Sequence, residues 1–296
     1  MIDGIPLIDA HLHPAHLDSV KMGVELWQGG FDYRSVQPAI YRPDGAVDPA
    51  GFDAYLESEG VDVAICLCEY SPLVTGTQPV ESVLPLVEHN PVRLRFLANV
   101  NPRLHSPAVT ELDRQLALGA AGLKLHPVHA HFAPNEAVCW PLYARCAEAG
   151  VPLVIHCGTS NFPGSLNRMA DPALIDEVAD AFPTLQIVLA HGGRGWWYDA
   201  AAFITLMRDN VWIELSGLPP HKLPEYYARY DLARLARKFI FATDWPGVPG
   251  IARNAAAVAA LGLERDILER IFWRNAAEVY NLGKPPFDGN RPGQEP

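Results

Sequence analysis

The sequence carries little charge, and the charge it has is mostly of one sign. Only 19% of its 296 residues are charged, with 23 basic against 34 acidic side chains, and the formal net charge is −11. Nucleic-acid binding needs basic surfaces that neutralise phosphates, and docking on anionic lipid needs basic segments. The charge balance therefore argues against a nucleic-acid partner and against a membrane surface.

Long hydrophobic runs and an even set of cysteines are missing as well. No apolar run approaches the roughly 18 residues that span a bilayer. The opening residues, MIDGIP, lack the cationic and apolar regions of a signal peptide. The five cysteines are an odd number and lie mostly in apolar segments, as expected of core thiols. We therefore expect a cytoplasmic protein with free cysteines.

The sequence does contain a regular alternation of short β-branched runs and longer helix-like stretches. Hydrophobic residues make up 49% of the chain. Several of the short runs are almost continuously apolar, which is typical of parallel strands buried on both faces. Eight strands are predicted, at residues 7–13, 61–69, 94–101, 122–126, 152–156, 186–191, 211–216 and 239–244.

Eight strand–helix units on one chain predict a closed (β/α)₈ barrel, the TIM barrel of the α/β class. An open doubly wound sheet is the alternative, but the sequence has no glycine-rich dinucleotide fingerprint. We assign residues 1–283 to a single barrel domain and residues 284–296 to a polar tail. Residues 14–47 form a long insertion after the first strand. Its aromatic residues, such as Trp27, favour a lid over the barrel mouth.

Histidines stand at the carboxyl ends of several predicted strands, which converge on one mouth of a barrel. His11 and His13 are two residues apart, so both imidazoles lie on the same face of a strand. A third imidazole, from His156, and the carboxylate of Asp244 complete a ligand set that suits a divalent metal. Core histidines with backbone partners are the alternative for the first pair alone.

Further polar residues at the same mouth are candidates for catalysis and substrate binding. His191 ends the sixth strand and is predicted to be a further ligand or a general acid/base. Lys124 and His126 share one face of the fourth strand and are predicted to contact the substrate. Lys124 alternatively pairs with Glu214, and His126 alternatively orients a loop. His129, beyond that strand, is interpreted as an ordinary loop residue.

Two residues near the last strands are predicted to recognise the substrate. Arg194 can hold a substrate carboxylate through two hydrogen bonds, or it forms a surface ion pair. Trp245, together with Trp196 and Trp197, offers aromatic rings at the mouth for an unsaturated or aromatic substrate. Packing between barrel and helices is the alternative for these tryptophans.

The segments LIDAHLHP, GLKLHP, VIHCGT, VLAHGG and FATDWPG, in this order and spacing, resemble the amidohydrolase superfamily. The resemblance is to the branch that groups metal-dependent hydrolases with aminocarboxymuconate-semialdehyde decarboxylase. It runs from Leu7 to about Leu282. It implies that the catalytic residues are Asp244 and His191. The metal ligands that it implies are His11, His13, His156 and Asp244.

The resemblance also bears on the number of metal ions. Lys124 stands where other members of the superfamily carry a carboxylated lysine that bridges two metals. In this branch, however, GLKLHP accompanies a single metal. We therefore favour one divalent ion, zinc before manganese or iron, over a second metal held by a carboxylated Lys124.

These observations predict a metal-dependent hydrolase for a small carboxylated or aromatic substrate. A metal-activated water molecule would cleave an ester, lactone or amide bond. The alternative on the same scaffold is a non-oxidative decarboxylase of an aromatic or unsaturated carboxylic acid. A binding protein that keeps the barrel is disfavoured because the ligand set is intact. The expected partners are a small-molecule substrate and a second copy of the chain in a homodimer.

Overall fold

The computed structural model describes residues 2, 4–19, 40–248 and 250–283. In this part of the chain, short strands alternate with helices from the first segment to the last. The strands are β1 (Ile8–Leu12), β2 (Val63–Cys66), β3 (Glu69–Ser71), β4 (Gly76–Gln78), β5 (Leu94–Phe96), β6 (Ala98–Asn99), β7 (Leu123–Leu125), β8 (Leu153–Gly158), β9 (Ile187–Arg194), β10 (Val211–Glu214) and β11 (Phe239–Ile240).

Helices follow the strands and cover the outside of the sheet. The first begins at a proline after Asp48, whose carboxylate accepts a hydrogen bond from the Gly51 amide at 2.9 Å. A π-helical turn, Arg270–Arg274, joins the last two helices. The α-helices are Pro49–Ser58, Leu84–His89, Ala108–Ala117, Pro127–Ala130, Trp140–Ala149, Ala173–Ala181, Tyr198–Met207, Leu223–Tyr226, Leu232–Ala236, Ile251–Ala259, Arg265–Glu269 and Asn275–Val279.

The parallel strands close into a barrel. One sheet has the order β1-β2-β5, and the other has the order β11-β10-β9-β8-β7-β6. β5 and β6 are two parts of one predicted strand, interrupted only at Leu97, whose N–H donates to the Cys66 carbonyl at 3.1 Å. The other seam is closed where the Ala10 N–H donates to the Phe241 carbonyl at 3.1 Å. All eight predicted strands are therefore present, and the predicted (β/α)₈ barrel is confirmed.

The second predicted strand differs from the structure, and two predicted segments cannot be compared with it. Residues 61–69 do not form one strand, because β2 ends at Cys66 and Glu69 begins the antiparallel hairpin β3–β4. Three-residue strands give almost no period-two pattern, so this hairpin escaped the sequence analysis. Residues 20–39 of the proposed lid, including Trp27, and the predicted tail 284–296 lie outside the described residues.

The interior of the barrel is packed with strand side chains, as an eight-stranded barrel requires. All five cysteines are buried and free, as expected. No helix in the described ranges is both long and apolar enough to cross a membrane. Several buried polar residues, among them His156 and His191, lie towards the carboxyl ends of the strands.

Candidate active site

His11 and His13 project from β1 to the same side, as their spacing predicts. Their Nε2 atoms lie 2.9 Å apart, and both residues are buried. Asp244 comes from the segment after β11, and its Oδ1 lies 3.5 Å from each of these nitrogens. The ligand atoms of these three residues all lie within 4.8 Å of one another.

These distances fit a shared cation. Two ligands placed about 2.0–2.1 Å from one tetrahedral ion are separated by roughly 3.3 Å. The observed separations of 2.9 and 3.5 Å bracket that value. Imidazole nitrogens with a carboxylate oxygen suit Zn²⁺, Mn²⁺ or Fe²⁺. The residues present therefore fit the divalent metal expected from the sequence.

The second nitrogen of His11 contacts a carboxylate. Its Nδ1 lies 2.5 Å from Oε1 of Glu214, which is fully buried on β10. A carboxylate in this position holds the proton on Nδ1 and leaves the Nε2 lone pair free for a metal. Burial raises the pKa of Glu214 to about 8, against the opposing charge of Lys124. A cation on the far side of the imidazole would favour the ionised carboxylate.

His156 and His191 form a second pair of imidazoles at the same mouth. His191 donates through Nδ1 to the Ser216 carbonyl at 2.9 Å, and His156 donates through Nε2 to the Gly158 carbonyl at 3.1 Å. Carbonyl oxygens only accept, so the remaining nitrogens, His191 Nε2 and His156 Nδ1, both present lone pairs. These nitrogens lie 3.2 Å apart. Because two lone pairs at this distance repel each other, a cation near both nitrogens would stabilise the arrangement.

Burial keeps these imidazoles neutral, which is the form that binds metal. It lowers the pKa of His13 to about 3 and the pKa values of His11, His156 and His191 well below their usual range. His156 lies beside His191 rather than within the group of His11, His13 and Asp244. As the predicted fourth ligand it is therefore adjacent to the centre and not part of it in this structure.

The Asp244 carboxylate lies between the imidazoles and the guanidinium group of Arg194. Its Oδ2 lies 3.8 Å from Nη1 of Arg194 and 3.9 Å from Nδ1 of His191. Burial raises the pKa of Asp244, and the neighbouring Arg194 charge acts in the opposite direction. Both Asp244 and His191 have a φ of 68°, in the left-handed region that non-glycine residues seldom adopt. Such strained backbone positions cluster at active sites.

A cavity opens over this group of side chains. Its walls come from the strand ends, the hairpin β3–β4 and the loop after β8. His126 and Arg194, two of the four predicted substrate-binding residues, line it. The full described lining is His11, His13, Ala15, Ser19, Glu69, Thr75, Gly76, Thr77, Gln78, His126, His129, His156, Ser160, Phe162, His191, Arg194 and Asp244.

The other two predicted substrate-binding residues do not line the cavity. Trp245 is 1% exposed, and its ring packs against Phe52 and Tyr55 with centroid separations of 5.4 and 5.7 Å. The ring therefore lies in the layer between the barrel and the helix Pro49–Ser58. Lys124 is fully buried in the barrel interior, and its Nζ has no hydrogen-bond partner among the described residues.

Comparison with known proteins places the chain in a family. A family model described as Amidohydrolase matches residues 8–282. The chain belongs to the amidohydrolase family. This match confirms the family predicted from the sequence and the prediction of an enzyme. No curated protein sequence matches the chain.

Several solved structures share the fold of this amidohydrolase. An uncharacterised TIM-barrel protein from Bordetella bronchiseptica has a TM-score of 0.74 at 20% identity, over 94% of this chain and 99% of the other. A dihydroxybenzoic acid decarboxylase from a Polaromonas species, with bound manganese and the inhibitor 2-nitroresorcinol, has a TM-score of 0.70 at 16% identity, with coverages of 94% and 97%. A probable 2-pyrone-4,6-dicarboxylic acid hydrolase from Acinetobacter baumannii, with citric acid bound, has a TM-score of 0.63 at 16% identity, with coverages of 94% and 100%.

Two cavity residues of the amidohydrolase were missed or misassigned in the sequence. Glu69 was not singled out, although it ends the second predicted strand as the histidines end others. His129 was interpreted as a loop residue, but it is 4% exposed and lines the cavity. The strand-end rule would have identified Glu69. His129 lies on the short helix Pro127–Ala130, whose direction only the folded chain reveals.

Glu214 gives a direct test of the metal centre. Removing its charge in Glu214→Gln weakens the hold on the Nδ1 proton of His11, and we expect metal affinity to fall roughly 10- to 100-fold. Competition with a chelating indicator measures the change. Glu225→Gln, at an exposed ion pair with Lys222, is the control and should leave affinity unchanged. Equal affinities for Glu214→Gln and the unmodified chain would exclude this role.

Proposed function

We propose that this amidohydrolase is a metal-dependent, non-oxidative decarboxylase of an aromatic or unsaturated carboxylic acid. The sequence alone predicts hydrolysis, with decarboxylation as the alternative. Decarboxylases recur among the structures that share its fold, including a 5-carboxyvanillate decarboxylase and a 2,6-dihydroxybenzoate decarboxylase in complex with 2,6-dihydroxybenzoate. These similar structures support decarboxylation over hydrolysis.

His11, His13 and Asp244 would hold the metal, with His156 as the fourth ligand that the resemblance implies. When bound, a divalent ion would supply positive charge that polarises substrate oxygens. Manganese in the decarboxylase from Polaromonas supports that ion alongside the zinc predicted here. One ion remains our proposal, because the resemblance associates GLKLHP with a single metal and Lys124 does not line the cavity.

Arg194 would anchor the substrate carboxylate. Its Nε and Nη2 donate to the Thr159 carbonyl at 3.2 and 3.1 Å, which fixes the guanidinium and leaves Nη1 towards Asp244 and the cavity. Gly217 makes room for it, since a Cβ on that residue would lie 2.3 Å from Nη1. A charged donor fixed in this way suits a planar carboxylate.

The observation that carries the proposal is the position of Asp244, a half-buried carboxyl group that lines the cavity next to Arg194. In decarboxylation the carbon–carbon bond breaks, CO₂ leaves, and the electron pair left on carbon takes up a proton. Asp244 would pass that proton from solvent to carbon through Oδ2, the oxygen that lies 3.8 Å from Nη1 of Arg194. Solvent returns a proton to Asp244, and the sum is acid to hydrocarbon plus CO₂.

The environment favours the same reaction. A carboxylate loses its concentrated charge as CO₂ forms, so a cavity that replaces water with fixed protein groups favours the reaction. The walls also include flat rings, because His126 and His129 stack at 5.7 Å and Phe162 meets His129 edge-on at 5.6 Å. Such walls suit a planar, unsaturated substrate.

Hydrolysis is the second candidate. In that reaction Asp244 would accept a proton from the attacking water, and His191 would stabilise the oxyanion or protonate the leaving group. The fold shared with a probable 2-pyrone-4,6-dicarboxylic acid hydrolase supports it.

A substrate panel separates the two reactions. The protein loaded with manganese, zinc or iron is incubated with ring carboxylic acids and, separately, with lactones and esters of similar size. We expect release of CO₂ from at least one acid, in a one-to-one ratio with the shortened product. Hydrolysis of a lactone or ester without any CO₂ release would replace this proposal with the second candidate.

The role of Arg194 has its own test. Arg194→Met removes the charged donor at nearly constant length, and we expect KM for the acid to rise roughly 10- to 150-fold because hydrogen bonds to charged groups are lost. Steady-state kinetics measure the change. Arg229→Met, at an arginine whose side chain is 79% exposed, should leave KM unaltered. An unchanged KM in Arg194→Met would exclude the anchor.

A further inference from the structure

The cavity wall that faces Arg194 across the barrel contains Glu69, which takes no part in the proposed reaction. Counting the barrel strands in order, β2 is second and β9 is sixth, so the two lie on opposite sides of an eight-stranded ring. Arg194 ends β9, and Glu69 follows β2 at the start of the hairpin β3–β4. The cavity therefore has a cation on one side and a carboxylate on the other.

Glu69 is held in place by a hydrogen bond from His126. Asn99 Nδ2 donates to Nδ1 of His126 at 3.2 Å, which leaves the proton of His126 on Nε2. That nitrogen donates to Oε2 of Glu69 at 2.8 Å. Burial by itself would raise the pKa of Glu69, but the neighbouring His126 and His129 hold it well below its usual range. One oxygen of an ionised carboxylate is thus fixed by a hydrogen bond.

The other oxygen has no such partner. Oε1 of Glu69 lies 3.5 Å from Nδ1 of His129, too far for a well-formed hydrogen bond. Among the described residues, both of these atoms and the Thr75 hydroxyl are buried without a hydrogen-bond partner, and all three residues line the cavity. Buried polar atoms without partners are costly, and several of them on one wall indicate a place where a ligand supplies the partner.

We propose that Glu69 is a specificity-determining residue whose Oε1 accepts a hydrogen bond from a hydroxyl or amino group on the substrate, at the side remote from the carboxylate. The substrate is then a planar acid with a donor group opposite its carboxylate. An acceptor-only group at that position leaves Oε1 unpaired and binds less well. This proposal rests on the proposed function only for the orientation of the carboxylate towards Arg194.

Matched probes test the recognition without any turnover. Calorimetry measures Kd for benzoate, for 2-, 3- and 4-hydroxybenzoate, and for 3- and 4-fluorobenzoate, which keep a similar size without a donor. We expect 3- or 4-hydroxybenzoate to bind roughly 10- to 150-fold more tightly than its fluoro counterpart, as a hydrogen bond to a charged acceptor gives. The 2-hydroxy isomer should gain less. A preference below about 3-fold for both remote isomers would overturn the proposal.

A variant assigns the preference to Glu69. Glu69→Gln keeps the side-chain shape and removes the charge, so the hydroxyl preference should fall below about 3-fold while Kd for benzoate stays within about 3-fold. Glu81→Gln, at an exposed ion pair with Arg114, is the matched control and should keep the preference. A preference that survives in Glu69→Gln would overturn the proposal.

Diffraction keeps the test decisive if Glu69→Gln fails to fold. In a crystal of the unmodified protein with the tightest-binding hydroxybenzoate, the hydroxyl should lie about 2.5–3.0 Å from Oε1 of Glu69. A hydroxyl bound to any other wall would overturn the proposal. The outcomes also separate the two proposals, because hydroxyl recognition without CO₂ release contradicts the proposed function alone. Release of CO₂ without hydroxyl recognition contradicts this inference alone.

Discussion

Replacing Asp244 by asparagine is expected to lower kcat by roughly 10³-fold or more, since general acid catalysis by a placed side chain contributes about 10²–10⁴-fold. The amide cannot release a proton at Oδ2, and it is also a weaker metal ligand than a carboxylate. Steady-state kinetics on the acid that releases CO₂ measure the loss, and metal content is determined on the same samples. Assays at saturating metal separate the loss of proton transfer from the loss of metal affinity.

The control for this variant is Asp199→Asn, which alters an exposed carboxylate paired with Arg229 and should leave kcat unchanged. A fall in activity of less than about 10-fold in Asp244→Asn would remove the residue from the proton-transfer role. Loss of activity that added metal fully restores would assign Asp244 to metal binding only.

Removal of the metal is expected to abolish activity to a similar extent. Polarisation of substrate oxygens by the ion accounts for several kcal/mol of barrier lowering, which corresponds to roughly 10³-fold or more in rate. Dialysis against a chelator should produce this loss, and added Mn²⁺ or Zn²⁺ should restore the rate. The melting temperature should fall as well, because an ion that binds only the folded chain stabilises it.

His13→Ala shows whether recovery depends on the predicted site. This variant lacks one of the two Nε2 ligands of β1, so added metal at the concentration that restores the unmodified chain should fail to restore it. His221→Ala, at a histidine outside the described cavity lining, should recover fully. Full activity in chelator-treated protein that contains no measurable metal would contradict metal dependence.

Much of the site could be predicted because parallel strands impose a simple rule. Side chains at their carboxyl ends meet at one mouth, so His11, His126, His156, His191 and Asp244 could be gathered without knowing any angle or distance. The apolar runs that precede them identified the strands. The structure buries these histidines around one cavity.

The remaining site residues depend on contacts that sequence spacing does not encode. Thr75 reaches the cavity through a hairpin whose strands are only three residues long. The pairing of Glu214 with His11 joins residues 203 positions apart. Trp245 directly follows the left-handed backbone of Asp244, where the alternation of an extended strand no longer gives the direction of a side chain.

The most direct test of the account is anomalous diffraction from crystals of the protein grown with Mn²⁺. We expect one strong peak, roughly 2.0–2.3 Å from His11 Nε2, His13 Nε2 and an oxygen of Asp244. A peak bound by other residues, or no peak at saturating metal, would contradict the claim that these three side chains form the catalytic metal centre.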